Sequence, residues 1–209
     1  MGWDLTFRRL GALYMETPVI ETGGSAVSEQ LGWNVIESPI GPLTIAAGPG
    51  GITNIYFDGH TPRLPGMRRR PLPAASGQLQ EYFAGGRQAF ELDFDLHGAP
   101  LQLAVWRRLL EISYGETTTY GEIATGIDES LYDAGLEPYR RARVVGAAIG
   151  RNPIPVVVPC HRVIGANGSL TGYYGGIERK RVLLGLEGLT VTDDVVRKAT
   201  PNPQLALGL

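Results

Sequence analysis

Apolar residues in the first half of the chain gather in short runs. Residues 33–38, 43–47 and 52–57 are three such runs, separated by Pro39-Ile40-Gly41-Pro42 and Gly48-Pro49-Gly50-Gly51. Runs of this length broken by glycine and proline predict strands in a hairpin or meander. Residues 61–73, with Arg68-Arg69-Arg70 inside them, read as a loop whose arginines are solvated. Residues 76–83 fit a helix, with Leu79 and Phe83 four apart and Gly85-Gly86 closing it. Residues 90–96 alternate apolar and acidic at period two, the pattern of a half-buried strand with an acidic outer face.

After a linker at His97-Gly98-Ala99-Pro100 the period changes to that of helices. Leu101, Val105, Leu109 and Ile112 share one helical face, with Trp106 beside them. Residues 115–124 bring a threonine-rich cap region that opens a short helix, and an acidic connection follows over 128–138. Residues 140–152 then read as a helix rich in small residues with arginines at its start. Two short helices, the second small-faced and basic at its entry, are what a helix-turn-helix requires. The expected fold class is α+β: a small N-terminal α/β domain with an antiparallel sheet over 33–98, then a mostly helical domain over 99–188. An extension over 1–32 and a tail over 189–209 flank them.

Charge and cysteine usage narrow the function. Net charge is −2, yet residues 138–177 carry five arginines and no acid, a local asymmetry that favours a polyanionic partner. One cysteine among 209 residues excludes an intrachain disulfide, and three histidines leave no zinc-ligand spacing. No apolar run approaches the roughly 18 residues of a membrane span, so the working context is a reducing cytoplasm without a membrane partner. The single cysteine stands in Val156-Val157-Val158-Pro159-Cys160-His161-Arg162-Val163-Ile164. The β-branched run suggests a buried strand ending at Pro159, which has no N–H to donate. An isolated cysteine is usually a buried packing residue. An imidazole and a guanidinium directly after it favour a reactive thiol instead.

Pro159-Cys160-His161-Arg162-Val163-Ile164-Gly165, followed by Gly168-Ser169-Leu170-Thr171-Gly172-Tyr173, Gly175-Gly176, Lys180, Leu183-Leu184 and Glu187-Gly188, closely resembles the DNA alkyltransferases that repair O6-alkylguanine. Tyr114-Gly115-Glu116-Thr117, Tyr120-Gly121-Glu122-Ile123-Ala124, Arg143-Val144-Val145-Gly146 and Arg151-Asn152-Pro153 fit the same pattern. The resemblance spans about residues 103–188, and residues 33–98 look like the family's less distinctive N-terminal domain.

The resemblance implies direct-reversal DNA repair: single-turnover, irreversible transfer of an alkyl group from O6 of a flipped-out guanine to Cys160, with O4-alkylthymine as a possible second substrate. No metal or organic cofactor is implied. His161 would take the thiol proton, Glu187 would orient the imidazole, and Asn152 would hold the active-site turn. Tyr120, Val163, Tyr173, Tyr174, Gly175 and Ile149 would surround the base. Arg143 would fill the gap in the stack, with Ala142, Gly146, Tyr120 and Arg151 at the DNA. The small helix face would lie in the minor groove, unlike the usual major-groove placement. The implied partner is double-stranded DNA carrying the lesion, bound by a monomer, with cooperativity on DNA left open.

The connection around 128–139, with Asp128, Glu129, Asp133 and Glu137, is longer than the family's usual turn and is expected to bulge away from DNA. Tyr174 stands where a small residue is usual, which would narrow the pocket. Among rivals, a cysteine phosphatase needs an arginine six residues after the cysteine, where Ala166 stands. A cysteine hydrolase would not need the arginine-rich helix. A non-enzymatic lesion-binding relative lacks the nucleophile, and a plain transcription factor leaves Cys160, His161 and Glu187 unexplained.

Overall fold

The computed structural model describes residues 31–58, 61 and 63–197; nearly all of the expected N-terminal extension, and residues 198–209, lie outside them. The three apolar runs form β1 (Gly32–Ile36), β2 (Leu43–Gly48) and β3 (Gly51–Phe57), all antiparallel, with β2 in the middle and almost wholly buried. Arg68–Arg69, expected in a loop, instead forms a short β4 parallel to β1, with Arg69 stacked over the Trp33 ring. The sheet order is β3-β2-β1-β4.

The strand expected over 90–96 is reduced to a single bridge between Phe94 and Ile52. Ile52 N donates to Asp93 O (3.0 Å) and accepts through its carbonyl from Asp95 N (2.8 Å). The next donor along this outer edge of β3, Ile55 N, goes to Pro153 O (2.8 Å) instead, so the pairing cannot continue. The period-two alternation still sorts the side chains, with Phe90, Leu92 and Phe94 packed on the core and Glu91 and Asp93 exposed. Gly51 makes this close approach possible: its φ is 114°, and a Cβ there would sit 2.2 Å from Asp93 O.

Helix α1 (Pro73–Phe83) starts three residues earlier than the apolar spacing suggests, because Pro73 suits the first turn. It buries Ala75, Leu79 and Tyr82 on the sheet. Helix α2 (Pro100–Leu110) buries Val105, Trp106 and Leu109, while Leu101 and Ile112 are only half-buried. Strand β5 (Thr118–Thr119) leads into α3 (Tyr120–Thr125), whose first turn is closed by a capping box: Thr119 Oγ1 accepts from Glu122 N (3.2 Å) and Glu122 Oε2 from Thr119 N (2.7 Å). Helix α4 (Pro138–Ile149) completes the helix-turn-helix and packs on α2, where Trp106 Nε1 donates to Ala148 O (3.0 Å).

Strand β6 (Val163–Ile164) pairs in parallel with β5, and α5 (Ile177–Leu186) buries Leu183 and Leu184. The described residues of the expected tail, 189–197, carry secondary structure. They form the hairpin β7 (Thr190–Thr192) and β8 (Val195–Arg197), turning through Asp193 and Asp194 at φ 52° and 57°. Both turn residues are aspartates, which tolerate the left-handed conformation that a two-residue hairpin turn needs. One apolar core runs from Ile36 through α1, α2 and α4 to Leu183, so the two expected domains share an interior. No helix among the described residues is long and apolar enough to cross a membrane.

Candidate active site

The run 156–158 is a tight turn rather than a strand. Val158 N donates to Ile154 O (2.9 Å), and a single bridge joins Pro155 to Val158. Asn152 occupies the inside of this turn. Its Oδ1 accepts from Ile154 N (3.0 Å), and its Nδ2 donates to Val158 O (2.8 Å) and to Cys160 Sγ (3.1 Å). Val156, fully buried, sits at φ 76°, a conformation that costs a β-branched residue about 1–3 kcal/mol unless its surroundings impose it. The amide of Asn152 and the apolar packing of the Val156 side chain are what impose it.

Cys160 opens a 3-10 turn, Cys160–Arg162, and the residue is 6% exposed. The next two side chains point to Glu187, at the C-terminal end of α5. His161 Nε2 lies 2.9 Å from Glu187 Oε1, and Arg162 donates through Nε to Oε2 (2.9 Å) and through NH2 to Oε1 (2.8 Å). Tyr82 of α1 donates its hydroxyl to the same Oε1 (2.7 Å), and Gly115 N donates to Oε2 (3.2 Å). Arg162 NH1 continues to Ile112 O (2.6 Å). Burial would raise the Glu187 carboxyl, but the hydrogen bonds from His161 and Arg162 and their charges outweigh it and hold it down at about 2.

An ionised Glu187 can only accept, so Nε2 of His161 carries the proton and Nδ1 carries the lone pair. His161 is fully buried and its Nδ1 has no partner within the protein. Burial lowers its basicity below the ordinary histidine value, against the opposing pull of Glu187, so the ring is neutral at pH 7. Burial also pushes the Cys160 thiol up to about 11, only partly offset by the Asn152 amide and the charge of Lys180. Burial thus favours the protonated thiol of Cys160 and the neutral imidazole of His161, whose Nδ1 is left without a partner in the protein.

Lys180 lies in the same interior. Its Nζ donates to Val163 O (2.6 Å) and Thr171 O (3.0 Å), which ties α5 to the strand after Cys160 and to the 171–172 loop. Burial pulls it down to about 8. Tyr82, Arg162 and Lys180 escaped the sequence reading as site residues. Arg162 and Lys180 stand among the motif residues that carry the resemblance, whereas nothing local to Tyr82 marks it.

The residues expected around the base are distributed unevenly. Val163 and Ile149 are buried, and Gly175 is covered closely enough that a Cβ would lie 2.7 Å from the Phe57 ring. Tyr173 packs edge-on to Phe57, with its buried hydroxyl unpartnered in the protein. Tyr120 turns its hydroxyl to Thr171 O (2.8 Å) and Gly172 O (3.2 Å). Tyr174 does not narrow that interior: it is 56% exposed, outside Phe57 at a ring separation of 6.4 Å. On α4, Arg143 is exposed and Ala142 and Gly146 are half-buried, with Gly146 against the Tyr120 ring; Arg151, just past the helix end, is exposed too.

A buried thiol held by Asn152, followed in the chain by a buried imidazole–carboxylate pair and joined to a helix-turn-helix, is the arrangement to set against known proteins. A profile described as the 6-O-methylguanine DNA methyltransferase DNA binding domain matches residues 100–189, and one for the ribonuclease-like domain of the same methyltransferases matches residues 31–96. The chain belongs to the 6-O-methylguanine DNA methyltransferase family. The methylated-DNA--protein-cysteine methyltransferase of Mycobacterium tuberculosis H37Rv is 48% identical over 159 residues, covering 74% of this chain and 91% of that protein. The protein of the same name from Methanosarcina acetivorans is 41% identical over 165 residues, covering 74% and 96%. The crystal structure of M. tuberculosis OGT in complex with DNA is similar at a TM-score of 0.65 and 46% identity, covering 75% of this chain and 92% of that one.

Proposed function

We propose that this protein is a methylated-DNA--protein-cysteine methyltransferase that repairs DNA by moving an alkyl group from O6 of guanine onto Cys160 Sγ. The observation that carries this reading is the thiol itself. It accepts from Asn152 Nδ2 at 3.1 Å, and the next residue in the chain is a histidine whose Nε2 is fixed on Glu187 and whose Nδ1 has no partner in the protein. As the S–C bond forms, the C–O6 bond breaks and its electron pair stays on guanine. The thiol proton passes to His161 Nδ1, directly or through one water, and a proton returned to the base restores guanine. Glu187 stabilises the imidazolium that forms in between. The product is a thioether, which has no carbonyl for water to attack, so each protein acts once. No metal or organic cofactor takes part.

A guanine O6 within a duplex is closed to in-line attack, so the nucleotide is flipped into the cleft beneath Tyr120 and Tyr173. Arg143 of α4 enters the stack, Ala142 and Gly146 approach the minor groove, and Arg151 meets the backbone. Val163, Ile149 and Gly175 form the floor and walls of the base site, and the protein works as a monomer in a reducing cytoplasm. Its two units, over 33–98 and 99–188, act as one body around Glu187. Incubation with a duplex containing one O6-methylguanine should add one methylene to the peptide bearing Cys160, saturating at one per protein and absent in Cys160→Ala. Lesion binding with no mass gain in the wild type would sink the transfer reading.

A further inference from the structure

The acidic connection between α3 and α4, expected to bulge away from DNA, is packed against the helix-turn-helix. Asp128 caps a 3-10 turn, Glu129–Leu131, by accepting from Ser130 N (2.8 Å), and Leu131 and Leu136 pack on the core. Tyr132 is 8% exposed, and its hydroxyl donates to Ala124 O (3.0 Å) in the last turn of α3. Arg141, in the first turn of α4, stacks over the Tyr132 ring at 4.9 Å and donates through NH1 to Glu129 Oε1 (2.7 Å). Tyr132 therefore bonds to the end of one helix and Arg141 reaches back from the start of the next.

Helical spacing separates this arginine from its neighbours. Arg140 and Arg143, three apart, share the exposed face of α4 with Ala147. Arg141 is two residues from Arg143 and so lies round the helix toward the connection, half-buried with Val144. The acidic segment takes one arginine out of the basic cluster and leaves the other two facing outward.

We infer that residues 128–137 are a brace that fixes the angle of α4 against α3, and that Tyr132 and Arg141 are positioning residues for DNA engagement rather than phosphate ligands. The inference rests on the proposed reading of α4 as the DNA-facing helix. Coulomb attraction in the exposed Glu129 pair is weak, so the fixed geometry comes chiefly from the buried tyrosine and the stacked guanidinium. Loss of either contact lets the entry of α4 swing and misplaces Arg143 without touching Cys160.

The test uses the full chain with Tyr132→Phe, which removes only the hydroxyl, and Arg141→Met, which keeps the stem. Two measurements are made: equilibrium affinity for an undamaged duplex across a salt series, and alkyl transfer from free O6-benzylguanine base. A brace predicts affinity about fivefold weaker in each variant. It also predicts an unchanged salt slope and free-base transfer within about twofold of wild type. A slope shallower by about one unit in Arg141→Met would make Arg141 a phosphate contact and overturn the assignment. Unaltered affinity in both variants overturns it too, as does a parallel fall in duplex and free-base readouts, which marks a general folding role. Duplex affinity is read without any transfer, so a wild type that binds DNA but never becomes alkylated defeats the proposed activity while the brace is still decided.

Discussion

Glu187 gathers donors from α1, from Gly115 ahead of β5 and from the turn that carries the nucleophile, and this fixes how the site responds to acid. His161 has a folded value below its ordinary one, so the unfolded chain binds that proton more readily. The stability owed to the neutral ring is complete above the ordinary histidine range and is lost as pH falls below it. Glu187, held at about 2, contributes fully above the ordinary glutamate range and loses its contribution as pH drops toward 2. The melting temperature should therefore fall from pH 7 to pH 3 in two stages, while the loss of methyl transfer on acidification should be centred below the ordinary histidine value, because burial favours the neutral ring. Calorimetry and single-turnover kinetics across that range check both. A transfer rate that halves at pH 6.5 would mean that His161 is not depressed. Cys160 and His161 were legible as candidates because they are neighbours in sequence. Tyr82 was not, since its partner lies 105 positions away and only the packing of α1 brings the two together.

At the scale of elements, local patterning located most helices and three of the strands, and it failed where tertiary pairing decides. Arg68–Arg69 is a strand only because β1 offers it an edge, and residues 90–96 are not one because Pro153 takes the donor they would need. The segment after 188 failed for a similar reason: Thr190–Thr192 and Val195–Arg197 are too short to announce themselves, and they pair around two aspartates. This hairpin covers a second small core of Ile164, Leu170 and Leu184 with Val191 and Val196, and it anchors the loop after β6 through Val196 N to Gly168 O (2.9 Å) and Leu170 N to Asp194 O (2.6 Å). Arg181 of α5 adds an ion pair to Asp194. Ending the chain after Leu189 should cost about 2–4 kcal/mol, from the apolar area and backbone bonds lost. Urea titration of the shortened protein measures this. An unchanged midpoint would show that the hairpin adds nothing to the loop beneath it.

For the whole molecule, the two expected domains were legible as a change of period at residues 97–100, but their union was not. Ile55 N bonds to Pro153 O (2.8 Å), Arg179 Nε to Ile40 O (2.7 Å), and Phe57 lies against Tyr173, so the sheet supplies part of the wall behind the active-site turn. A linker reading of His97-Gly98-Ala99-Pro100 implies two bodies that unfold separately. One shared core with Tyr82 bonded to Glu187 implies cooperative unfolding. Tryptophans stand on both sides of the divide: Trp33 in β1 and Trp106 buried in α2. A Trp3→Phe, Trp33→Phe variant reports the helical half through Trp106, and Trp3→Phe, Trp106→Phe reports the sheet through Trp33. Both fluorescence curves in urea should share a midpoint with far-UV circular dichroism of the same variant. In a Tyr82→Phe background they should move down together, by about 1 kcal/mol for the lost hydrogen bond. A sheet that melts ahead of Trp106 would mean that α1 only rests against the catalytic half. In that case the hold of Glu187 on His161 would have to survive without Tyr82.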